Sequence, residues 1–179
     1  MKTIYIAIIA FFSMSISAQA QIVFNETFES LDTGTNILKL KKAKFNTWSK
    51  ATWTVTEQIG KGFNKSDKFA SCGEGENVNL VQYRNLVAGE TYIFSVAVKM
   101  TNTGGKSWAG NYSLKVTSGA KEDTYTYGTE KIEEVKEGDW TKHIIEFTVL
   151  KGKENVCFNV YRWKSDVIMH IDNFKIEKK

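Results

Sequence analysis

The side chains of this chain best suited to recognising another molecule are its five Trp and seven Tyr. A flat ring can stack on the apolar C–H face of a sugar ring, and amide or guanidinium groups beside it can bond hydroxyls. Large aromatics are also core residues by default, so each is judged by its neighbours. In the run from Asn155 to Trp163, Val156, Phe158 and Val160 alternate with Cys157, Asn159, Tyr161 and Trp163. In a strand these sets occupy opposite faces, which puts Tyr161 and Trp163 away from the apolar side and turns Arg162 toward it. Trp108 follows the polar stretch Thr103-Gly104-Gly105-Lys106-Ser107, and Tyr125 and Tyr127 share one face of an extended segment. These five aromatics are the candidate stacking platforms. Gln82 and Arg84 share a strand face by parity and supply donors, and an Arg can also grip a carboxylate or sulfate bidentately. Trp140, after Gly138-Asp139, reads as structural, as do Trp48 and Tyr92.

Reactive chemistry is harder to assemble. No pair of carboxylates stands out as a glycosidase would need. A polysaccharide lyase would need a His or Tyr base with a charge neutraliser, and His143 or His170 with Tyr161 and Arg84 is the nearest set; enzyme activity is not expected. Cys72 and Cys157 lack CxxC spacing and the two His are far apart, so there is no zinc signature. In an exported chain, two thiols suggest one disulfide, two buried free thiols being the alternative.

The elements that would position these groups are strands. The N-terminus has Lys2, an apolar stretch from Ile4 to Ile16 and Ala18-Gln19-Ala20, the form of a signal peptide over residues 1–20. Export after cleavage, to the periplasm or outside the cell, and a single domain over 21–179 are therefore expected, without membrane insertion and as a monomer. The net charge of +4 is spread over mixed signs. Its one dense cluster, Lys39, Lys41, Lys42 and Lys44, reads as a solvated face, which argues against nucleic-acid binding. Turn residues recur at short intervals between β-branched and aromatic runs. Tyr92, Phe94, Val96 and Val98 form one face of a strand, with Ser95 and Lys99 on a face expected to be partly wet. Further strands are expected at 22–28, 52–57, 69–71, 77–83, 112–117, 143–150 and 167–176; no segment has a convincing helix period, and Glu130 to Lys136 has room for at most a short turn of helix. The fold class is all-β: a two-sheet antiparallel β-sandwich of jelly-roll type.

Four motifs in order carry a resemblance. Asn25-Glu26-Thr27-Phe28-Glu29 opens the domain, and Leu86-Val87-Ala88-Gly89-Glu90-Thr91-Tyr92 follows. Asp139-Trp140-Thr141 and Ile171-Asp172-Asn173-Phe174 close it. Together they resemble carbohydrate-binding modules of families four, nine and twenty-two. The resemblance implies a galactose-binding-like jelly roll that recognises a polysaccharide or oligosaccharide without cleaving it. It also implies a structural calcium ion (Ca2+), with Glu29 and Asp172 at the matching positions and carbonyls near Gly34 completing the shell. The chain departs from the pattern in having no Trp just after its opening element. A structural or protein-binding module at the cell surface is the alternative use of such a sandwich.

Overall fold

The computed structural model describes residues 20–43, 45–73, 77–102, 104, 111–119, 124–163 and 167–179. They contain ten strands: β1 (Gln21–Glu26), β2 (Trp53–Glu57), β3 (Lys68–Cys72), β4 (Val78–Asn85), β5 (Thr91–Thr101), β6 (Tyr112–Ser118), β7 (Thr126–Ile132), β8 (Thr141–Thr148), β9 (Asn155–Arg162) and β10 (Ile168–Lys178). A six-stranded sheet runs β2-β3-β10-β5-β8, with β1 on the C-terminal half of β10, and a four-stranded sheet runs β4-β9-β6-β7. All pairs are antiparallel. The chain is the two-sheet jelly-roll sandwich that its alternation announced.

The sandwich is held by the apolar parity set of each strand. Phe158 of β9 meets Phe94 of β5 and Phe147 of β8 at centroid distances of 5.2 and 5.9 Å. Leu80, Leu114, Val96 and Ile171 are all fully buried between the sheets, and burial of each such side chain stabilises by roughly 1.5–3 kcal/mol. Two polar ties cross the same space. The Trp53 indole N–H donates to the Asn79 carbonyl at 3.1 Å. His143 lies between the Tyr112 hydroxyl at 2.6 Å and Glu130 at 2.8 Å, joining β8 to β6 and β7.

Three local expectations are corrected. Glu130 to Ile132 is no helical turn but the end of β7, which completes the β6 edge with Tyr112 opposite Ile132. An unpaired edge exposes a row of backbone donors and acceptors, so pairing overrides the weak helical pattern. Gly128 makes this strand possible, because a Cβ there would lie 2.6 Å from Ile145 Cγ2. The second face of β5 is not wet: Ser95 and Lys99 are 5% and 7% exposed. The cysteines are both free. Cys72 belongs to the core between the sheets, whereas Cys157 faces outward from the four-stranded sheet opposite Tyr83.

The two outer faces differ. On the six-stranded sheet, segment 58–67 folds back over Phe69, Lys99 and Asp172. The four-stranded sheet has an open groove. No described helix is long and apolar enough to cross a membrane.

Candidate functional site

The groove begins with strand parity. In β4, Val78 and Leu80 face the core, so Tyr83 faces out; in β9, Val156, Phe158 and Val160 face in, so Cys157, Asn159 and Tyr161 face out. In β6, Leu114 and Val116 face in, and Lys115 and Thr117 face out. Ser118, Gly119 and Thr124 close one end and Trp48 stands at the side, enclosing about 590 Å³. That is room for several sugar rings.

Trp48 reaches this place through the segment before it. Asn46 and Val81 exchange two backbone hydrogen bonds of 2.8 Å, so the segment extends the four-stranded sheet beyond β4. Phe45 anchors its inner side between Phe24 and Phe174, at 5.6 and 5.3 Å. Asn79 Oδ1 then accepts from the Trp48 backbone N–H at 3.0 Å and the Thr47 hydroxyl at 2.9 Å. The Trp48 side chain bonds the Tyr83 hydroxyl, yet the residue remains 61% exposed. Its structural assignment from sequence is thus corrected: Trp48 is an exposed wall of the groove.

Among the described residues, two buried polar atoms on this face have no hydrogen-bond partner, Asn159 Oδ1 and Asn79 Nδ2. Such atoms cost free energy unless something bonds them. Burial pushes the Cys157 thiol and the Tyr83 hydroxyl above their ordinary pKa. Both are therefore neutral at physiological pH. Lys115 is the one charged residue among the described groove-lining residues. This arrangement can hold a ligand by stacking, hydrogen bonding and charge.

The other candidates divide. Tyr161 continues the groove face, beside Asn79 on one side and Ser113 on the other. Trp163 meets it edge-on at 4.7 Å and is 65% exposed. Arg162 between them is fully buried, as parity requires. Trp108 lies outside the described residues. Tyr127 is not at the groove: it packs on Phe147 at 5.1 Å and its hydroxyl donates to the Lys153 carbonyl at 2.9 Å. Tyr125 lies edge-on to Tyr127 at 5.1 Å. Gln82 is also corrected. It shares the inward parity of Leu80, its amide N–H donates to the Ala43 carbonyl, and its Oε1 accepts from the Tyr83 N–H. Arg84 faces the same inner side, its guanidinium 4.4 Å from the Phe24 ring centroid. The lyase set is not assembled, since His143 lies between the sheets, His170 is on the six-stranded sheet and Tyr161 is on the opposite outer face.

Glu29 and Asp172 do come together, around segment 62–68. Asp172 Oδ2 accepts from the Phe63 N–H at 3.0 Å and the Ser66 hydroxyl at 2.7 Å, and its Oδ1 accepts from the Asn173 N–H at 2.7 Å. Glu29 Oε1 accepts from the Asp67 and Lys68 N–H groups at 3.1 and 2.8 Å. Gly62 permits this turn, because a Cβ there would lie 2.0 Å from Ser66 Oγ and 3.1 Å from Asp172 Oδ2. Gly34 instead donates to Val55 on the β2 edge at 2.8 Å. Burial pushes Asp172 up to about 6, against the pull of these hydrogen bonds. Calcium needs six to eight oxygens turned toward one centre. These carboxylates face N–H and O–H donors instead, and the described residues hold no cluster of three or more His, Cys, Asp or Glu. The donor chemistry does not fit calcium.

No family model matches the chain, and no curated protein matches it in sequence. Solved structures do. The first is a Clostridium thermocellum endo-1,4-β-D-xylanase, its family 22 carbohydrate-binding module and GH10 module complexed with xylohexaose. It superposes with a TM-score of 0.63 at 19% identity over 90% of this chain and 29% of that one. This chain thus spans under a third of that protein. The C-terminal family 22 module of a C. thermocellum xylanase gives 0.63 at 13% identity, covering 88% and 94% of the two chains. A family 61 module complexed with β-1,4-galactotriose gives 0.53 at 16%, covering 75% and 87%. The chain has the jelly-roll fold of carbohydrate-binding modules.

Proposed function

We propose that this domain is a non-catalytic, exported glycan-binding module and that its site is the outward face of the four-stranded sheet. The observation carrying this reading is the groove itself: an exposed Trp48 indole held beside Tyr83, with the unpaired Asn159 Oδ1 on the same face. A sugar offers an apolar ring face to the indole and hydroxyls to the polar groove-lining residues Lys115 and Thr117. Tyr161 and Trp163 extend the platform beyond the enclosed part. The fold neighbours bound to xylohexaose and to β-1,4-galactotriose support a carbohydrate partner.

Each sugar hydroxyl that leaves water for a protein partner nets only ~0.5–1.5 kcal/mol, so stacking dominates and affinity is modest. The test is a broad glycan array probed with the wild-type domain and Trp48→Ala. Retention by the first and loss by the second supports the reading. Retention of no glycan overturns it. Within the same proposal, Glu29 and Asp172 act as acceptors that fasten segment 62–68, without need of a metal.

A further inference from the structure

Among its described lining residues the groove carries charge of one sign. Lys115 stands in the middle of β6, beside Asn159 of β9 and Thr129 of β7. Lysine is depleted from strand interiors, where a long charged chain packs poorly. Its charge acts on Cys157 within the groove. Lys131 adds a second ammonium on the same face, opposite Ser113. Neither lysine side chain takes part in an ion pair or hydrogen bond among the described residues. The described outward positions of β4, β9, β6 and β7 hold no Asp or Glu.

Several lysines elsewhere are matched. Lys175 meets Glu177 at 2.7 Å, Lys178 meets Glu90 at 3.0 Å and Lys179 meets Glu146 at 2.8 Å. Lys99 is boxed by the rings of Phe69 and Trp140, at 4.6 and 4.7 Å, and donates to the Lys61 carbonyl at 3.2 Å. Among the described residues Lys115 thus has no counter-charge, in a concave site whose walls focus its field. A neutral polysaccharide has no use for that charge; a carboxylate does.

We propose that the ligand of this groove is an acidic polysaccharide, with a uronate carboxylate meeting Lys115 Nζ while a sugar ring stacks on Trp48. This rests on the glycan-binding reading above and specifies the glycan's class. A carboxylate projecting from the ring completes the face with the one group that its described outward positions lack. An ammonium contacts it as a point charge, so arginine can replace lysine here.

The experiment is calorimetry of the mature domain with three uronate glycans, polygalacturonate, alginate and glucuronate-bearing xylan, against the same polymers after carboxyl reduction. A sulfated polysaccharide is the fourth arm. Wild-type protein is expected to bind at least one uronate glycan about tenfold more tightly than its reduced form, with affinity falling as salt rises. Lys115→Met should remove that preference with an unchanged melting temperature, and Lys115→Arg should restore it. Equal binding of native and reduced polymers, unaltered by Lys115→Met, overturns the proposal while the glycan-binding reading stands. Binding of the sulfated polymer that survives Trp48→Ala reveals general polyanion attraction and also overturns it. Retention of no polymer here or on the array overturns both readings.

Discussion

The two outer faces of this sandwich are built from the same kinds of residue to opposite ends. On the six-stranded sheet, Asp172 draws the N–H and O–H groups of Phe63 and Ser66 onto its carboxylate, so segment 58–67 closes over Phe69, Trp140 and Lys99. On the four-stranded sheet, Asn79 holds the backbone of Trp48 at the margin, and the indole is left standing in solvent. An aromatic and a lysine are present on both. Trp140 and Lys99 satisfy one another and the Lys61 carbonyl, which accepts from the Trp140 indole at 2.8 Å. Trp48 and Lys115 are not used up in this way. An internal acceptor placed beneath a loop makes a sealed face; one placed beneath a strand extension makes an open site.

Asp172→Ala should have the largest effect on stability, since it removes the acceptor for three donors and leaves them unpaired. It should cost ~3 kcal/mol, lowering the melting temperature by roughly 6–12 °C. Affinity in the groove, on the opposite sheet, should be unchanged in calorimetry of the folded variant. A matching loss of affinity would break the separation of the two faces.

The tryptophans sharpen the contrast. Trp140→Ala should cost ~2–3 kcal/mol in denaturant unfolding, because it opens the sealed face around Phe69 and Phe63. Trp48→Ala should stay within about 0.5 kcal/mol of wild type, its indole being exposed. Equal costs for the two would remove the distinction.

Sequence made the frame legible wherever one face of a strand was cleanly apolar. The alternation of β5 and β9 gave their inward residues, and through β9 it placed Tyr161 and Trp163 outward. It misassigned β4, where Leu80 and Val81 are both apolar and either parity can be read; Gln82 and Arg84 therefore looked available and are turned inward. It missed β7, whose sequence TYGTEKI has no apolar alternation and becomes a strand because β6 needs a partner. Trp48 was illegible for a different reason. Its place depends on the Asn46–Val81 bridge and the Asn79 side chain, contacts between residues about thirty positions apart. Glu29 and Asp172 were correctly placed near one another, but only geometry reveals that donors rather than acceptors surround them.

Smaller effects probe the cysteines and the sealed face. Alkylation under denaturing, non-reducing conditions should label both Cys72 and Cys157. In the native protein labelling should be slow, because both are buried and burial pushes the Cys72 thiol up to about 11. A mass corresponding to a Cys72–Cys157 bridge would contradict the layer assignment of the two strands. Chelator should shift the melting temperature by less than about 1 °C, because the Asp172 cradle is completed by the chain's own donors; a metal bound at 100 times its dissociation constant would add ~2.7 kcal/mol. A large fall with chelator would show a metal on the sealed face.

The most direct test of the account is a binding isotherm for any array-positive glycan, measured in parallel on wild type, Trp48→Ala and Trp140→Ala, with each variant confirmed folded. The account predicts that Trp48→Ala weakens binding at least tenfold while Trp140→Ala binds as wild type does. Full binding by Trp48→Ala, with loss in Trp140→Ala, would place the site on the other sheet and contradict it.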